Sequence, residues 1–203
     1  ITKGILPYTG FFSHHNPGAY YIASAITLFT GQSFVAFRQV WAIVLFAAAA
    51  GSFMLLKKRL PGINLFFYLG FLLIWGLFAA YSWGHMLLSE TIVAHSIIPA
   101  YVLILLKTVH QKRLNLIDIS IISIASAISL LTSLTFIFAI GFLWLFSLYY
   151  LWKTNDLKKL VPAIGILAAP YLLFVGYLLI TGSLSEFYSD SIVYNRDSYI
   201  YNF

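Results

Sequence analysis

Six runs of apolar residues, separated by short polar or basic stretches, set the pattern of this chain. Ahead of them, residues 1–16 read as a loop, with turn signals at Gly4, Pro7, Gly10 and Asn16-Pro17. Pro17 suits the first turn of a helix that runs to about Thr30 and stops at Gly31. About 14 residues at 1.5 Å each give roughly 21 Å, less than the hydrocarbon core of about 30 Å, so this helix is expected to lie at the membrane interface.

The runs themselves predict six spans, at 34–56, 62–83, 86–106, 116–132, 134–152 and 161–181. The first carries a small-residue patch from Ala47 to Ser52, where another helix can approach closely. Pro61 starts the second, and Tyr81 and Trp83 anchor its far end. The fourth is short and is expected to tilt, thin the bilayer or re-enter. Pro170 is expected to kink the sixth. Residues 182–203 are expected to leave the membrane as a polar and aromatic tail.

Composition agrees with an all-α, polytopic transmembrane bundle. The chain is 61% hydrophobic and 9% charged, with a mean hydropathy of +0.90, outside the range of water-soluble domains. It has no cysteine, which removes disulfides, thiol nucleophiles and Cys-based metal sites. Beginning at Ile1 and stopping after an aromatic run at Phe203, it is expected to be a fragment of a longer protein.

Charge then sets the expected orientation. Of the twelve basic residues, Lys57, Lys58, Arg59, Lys107, Lys112, Arg113, Lys153, Lys158 and Lys159 fall between spans that alternate in direction. Placing residues 1–33 outside puts all of these inside and leaves Lys3, Arg38 and Arg196 outside, which satisfies the positive-inside rule in every inner loop. The charge therefore serves topology, and no nucleic-acid partner is expected. Neither a nucleotide-binding glycine motif nor a fixed-period repeat is present. On this orientation the N-terminal loop, the turn at 83–86 and the C-terminal tail share the outer side.

That outer side holds the candidate chemistry. His14, His15 and Asn16, with Tyr8 nearby, can hydrogen-bond a phosphate or a sugar hydroxyl, or stand as solvated interface residues. Adjacent histidines are a poor chelate, so no metal is expected. Arg38, about one turn inside the first span, either snorkels to lipid headgroups or meets the phosphate of a lipid-linked substrate. Glu90 and His95 are ionisable groups within the third span, where function or an interhelical hydrogen bond must offset their cost. Asp118 is most simply a helix N-terminal charge. Tyr194, Asn195 and Arg196 either belong to the aromatic belt or close over a lipid-phosphate pocket.

The run Gly4-Ile5-Leu6-Pro7-Tyr8, Phe11-Phe12, His15-Asn16-Pro17, Tyr20-Tyr21, Gly31 and Arg38 resembles the first outer loop of GT-C glycosyltransferases. The nearest group is similar to the bacterial protein-mannosyltransferase and aminoarabinose-transferase relatives. The resemblance covers about a third of the chain by motif and nearly all of it by topology. It implies an integral protein of a bacterial or archaeal plasma membrane that moves a sugar from a polyprenyl-phosphate donor to an acceptor on the outer face. It implies no cofactor, and it places the general base, an acidic residue, upstream of Ile1. The position before Pro17, often Lys in the relatives, is Asn16 here, and His14 or His15 is the expected substitute. Two other classes stay open: a transporter or lipid flippase, and a non-catalytic membrane subunit whose outer loop docks a partner. An acidic pair about ten residues before Gly4, after one more span, favours the enzyme.

Overall fold

The computed structural model describes residues 16–59, 89–194 and 196–197. Among these residues there is no strand, and the chain is an all-α membrane bundle. The helices are α1 (Gly18–Thr30), α2 (Phe34–Arg59), α3 (Ser89–Val109), α4 (Leu116–Thr132), α5 (Ile137–Lys153) and α6 (Leu160–Thr181). Single 3-10 turns, Leu134–Phe136 and Leu157–Lys159, lead into α5 and α6. Among the described residues, four stretches are long and apolar enough to cross a membrane: Phe34–Lys57, Glu90–Val109, Leu134–Lys153 and Leu157–Thr181. The span expected at 62–83 lies outside the described residues.

α4 is the centre of the bundle, packed chiefly on α3 and α6. Its 17 residues measure about 26 Å, short of the hydrocarbon core. Protein groups meet its ends: Asn115 caps the first turn, and Asn16 donates to Leu130 O near the last. Small residues permit the close approach: Ser123, Ala125, Ser126, Ala127 and Ser129 are all buried. Ser123 and Ser126 return their hydroxyl protons to Ile119 O and Ile122 O, and Trp144 Nε1 of α5 donates to Ser126 Oγ at 3.0 Å. The main core joins Val93, Ile97 and Ile104 of α3 to Ile119 and Ile122 of α4 and Ile140 and Leu143 of α5. Outward, Phe138 and Phe142 of α5 and Leu172, Leu173 and Ile180 of α6 are exposed, which on a membrane bundle is the face turned to lipid.

Proline falls inside two helices without ending either. α3 continues past Pro99 and α6 past Pro170, although each ring removes one backbone donor. Gly182, at φ 67°, stops α6 in the left-handed conformation that glycine adopts without a Cβ penalty. The tail begins as helix. Ser183 is fully buried and its carbonyl accepts from Phe187 N, opening a helical turn at Leu184–Phe187 that continues as a π-helical stretch, Tyr188–Val193. The cause is packing: the Phe187 ring meets Phe174 of α6 edge-on at 5.2 Å.

The two ends of the bundle have different chemistry. At one end α1 lies against the C-terminal parts of α4 and α6 and the N-terminal parts of α2 and α3. At the other, the connections 110–115 and 154–156 meet, and the cations Lys107, Lys112, Arg113, Lys153, Lys158 and Lys159 gather. Leu56, next to Lys57, packs on Leu103 and adds the end of α2 to that basic end. The basic connections that follow α3 and α5 are thus neighbours in space.

Candidate functional site

Four contacts fix α1 across its end of the bundle. Asn16, 4% exposed, donates from Nδ2 to the carbonyl of Leu130, one of the last carbonyls of α4. Gly18 follows so closely that a Cβ there would stand 2.8 Å from Leu131 O and 2.9 Å from Thr132 Oγ1. Further along, the rings of Tyr21 and Tyr177 of α6 meet edge-on at 6.1 Å. At the far end of α1, Ile26 joins Trp41 and Leu45 of α2 and Ile92 of α3 in one apolar cluster. A helix too short to span is therefore held by four of its neighbours, with Arg38 one turn before Trp41 and Glu90 two residues before Ile92.

The geometry changes what Asn16 can do. Its amide nitrogen is committed to Leu130 O, while Oδ1 is buried with no partner. An unpartnered amide oxygen accepts hydrogen bonds only, so it suits a hydroxyl and repels the oxygens of a phosphate. The oxygen thus suits a hydroxyl donor, while the amide nitrogen keeps a second hydrogen beyond the one given to Leu130 O. Tyr177 OH is a second buried polar atom without a partner, on α6 facing α1.

Arg38 is exposed on the second turn of α2, its guanidinium 4.3 Å from the centre of the Phe34 ring. Glu90 is exposed in the first turn of α3. His95 is half-buried a little more than a turn further on, and its Nδ1–H donates to Thr91 O at 2.8 Å. The tail leaves α6 from the same end, with Tyr194 exposed and Arg196 paired through Nε with Asp197 Oδ1 at 2.7 Å. That pairing offsets the charge expected to meet a lipid phosphate. Tyr8, His14, His15 and Asn195 lie outside the described residues. Among the described residues, no three His, Cys, Asp or Glu side chains form a metal-binding group.

Asp118 is the helix N-terminal charge that the sequence indicated, but its burial and its partner were not read there. Asp118 is fully buried; it completes a reciprocal capping box with Asn115 and pairs with Lys107 Nζ at 2.9 Å. The Asn115 to Asp118 spacing was a visible signal for the cap, but the partner one helix away was not.

No family model, curated protein or solved structure matches the chain.

Proposed function

We propose that this protein transfers a sugar from a polyprenyl-phosphate donor to an acceptor at the membrane surface. The reading rests first on the likeness of the Gly4 to Arg38 stretch to GT-C enzymes. The observation that carries it furthest is the seating of α1, which gathers Asn16, Arg38 and Glu90 toward one end of the bundle. A lipid-linked donor needs such a place: its chain remains among apolar helices while its phosphate and sugar reach polar groups at the rim. In this proposal Arg38 meets the donor phosphate, Asn16 Oδ1 accepts from a sugar hydroxyl, and Glu90 orients the incoming group. Departure of polyprenyl phosphate is helped by cationic charge near the developing anion, and a carboxylate takes the acceptor's proton.

Transfer from a radiolabelled polyprenyl-phosphate sugar, by membranes carrying the full-length protein, tests the reading. Arg38→Ala or Glu90→Ala is expected to reduce turnover by roughly tenfold or more, the loss typical of one transition-state contact. Unchanged turnover in both variants removes the site assignment, and no transfer by the wild type removes the function.

A further inference from the structure

The basic end carries a second feature, independent of sugar transfer. Among the described residues its two acids, Asp118 and Asp156, are buried and already paired, with Lys107 and Lys159 respectively. Lys57, Lys112, Arg113, Lys153 and Lys158 are exposed, so the surface holds uncompensated positive charge. Two of these cations are brought onto adjoining connections. Lys159 Nζ reaches over to Leu114 O at 2.6 Å, which ties the segment following α5 to the segment following α3. Lys158 precedes the first of these residues and Arg113 the second. Both charges also act on the Asp156 carboxylate.

The platform is held from beneath. Tyr150 OH donates to Lys112 O at 3.0 Å and Lys107 O at 3.3 Å, and Lys107 Nζ also reaches Arg113 O at 3.5 Å. The backbone carrying Arg113 is therefore fixed by buried groups while its side chain stays exposed. Apolar residues flank the cations at the same level: Leu116, Ile117, Leu157 and Val161 are exposed, Val161 by 77%. Positive charge beside exposed apolar surface fits an amphiphile with an anionic head better than a free anion.

We propose that Arg113 and Lys158 hold the phosphate of an acidic membrane lipid, whose chains lie along Leu116, Ile117 and Val161. Arg113 supplies a planar fork and Lys158 a point charge, a pair suited to a phosphodiester.

The test uses the purified full chain in phosphatidylcholine vesicles, with brominated phosphatidylglycerol as the probe and quenching of tryptophan fluorescence as the signal. Trp152, exposed in the last turn of α5, is the reporter at this end. The wild type is expected to prefer phosphatidylglycerol over brominated phosphatidylcholine in 0.3 M salt, about where diffuse surface attraction is screened. Arg113→Gln with Lys158→Gln is expected to weaken that preference by roughly tenfold or more, and Lys57→Gln to leave it intact. The charge-conserving exchange Arg113→Lys with Lys158→Arg should retain most of it, which separates binding from any folding defect. The proposal is overturned by absence of a preference in the wild type, by a preference that survives the double Gln variant, or by an equal loss in Lys57→Gln. Displacement of the lipid by millimolar inorganic phosphate overturns it too, because the ligand would then be a free anion.

Discussion

Lys107 Nζ lies 2.9 Å from Asp118 Oδ2, the Lys107 side chain 8% exposed and that of Asp118 fully buried. The pair links the last turn of α3 to the first turn of α4, the central helix. Asp118 is held again by the backbone N–H of Asn115 at 2.9 Å, so the carboxylate meets both a cation and a peptide donor. Removing one partner of a buried pair leaves the other charged and desolvated. Lys107→Met is therefore expected to cost about 3–5 kcal/mol. Adding Asp118→Asn to it should recover much of the loss, since an amide oxygen still accepts from Asn115 N and carries no charge. Unfolding in detergent micelles measures both. A single variant within 1 kcal/mol of the wild type, roughly the worth of an exposed pair, would show that water reaches the site.

Gly18 and Gly31 bracket α1 and predict different failures. A Cβ at Gly18 meets backbone oxygen at 2.8 Å, whereas one at Gly31 meets nothing within 4 Å but sits at φ 58°. Gly18→Ala should push α1 off α4, costing about 1–3 kcal/mol as overpacking does. Gly31→Ala should cost about 1–3 kcal/mol from backbone strain alone, leaving α1 docked. Protease accessibility of α1 distinguishes them: it rises for the first and not for the second. Equal accessibility would contradict the close approach to Leu131.

Tyr150→Phe keeps the ring in the core and removes only the hydroxyl that serves two carbonyls. The expected loss is about 1–3 kcal/mol, because Lys112 O loses its Tyr150 donor while Lys107 O keeps the Lys112 N–H at 2.8 Å. Hydrogen exchange localises the effect. Amides of residues 110–115 should lose protection while those of α5 are little changed, and uniform change across the bundle would argue against a local clamp.

Asp156 predicts an acid response. The hydrogen bond from Lys159 holds its carboxyl below the ordinary value of 3.8, with partial burial opposing and the charges of Lys159, Arg113 and Lys158 assisting. Because the folded protein binds this proton less readily than the unfolded chain, the stabilisation is full above the unfolded value. It is lost as pH falls through the folded value. Unfolding midpoints below about pH 4 should therefore fall less steeply in Asp156→Asn than in the wild type. Parallel curves would show that Asp156 contributes nothing to the acid limb.

Much of the architecture is legible one residue at a time. Unbroken apolar runs ending at Lys57, Lys107 and Lys153, and the Pro17 and Gly31 bracket around α1, place helices to within a few residues because each signal is local. Helicity past Gly182 was missed because the Phe187 to Phe174 contact that supports it spans α6 and its tail.

The sequence by itself determined that this chain is a helical membrane bundle, where its apolar helices run, and that its cations cluster between them. Hydropathy and helix-ending residues act along the chain and need no knowledge of neighbours. Only the tertiary structure decided that Asp118 is a buried partner of Lys107, that Asn16 uses its donor on Leu130 and keeps an acceptor, and that Arg113 and Lys158 share one surface. Each of those depends on which helix faces which, and a side chain's burial, partner and remaining hydrogen-bonding capacity are set by what packs against it.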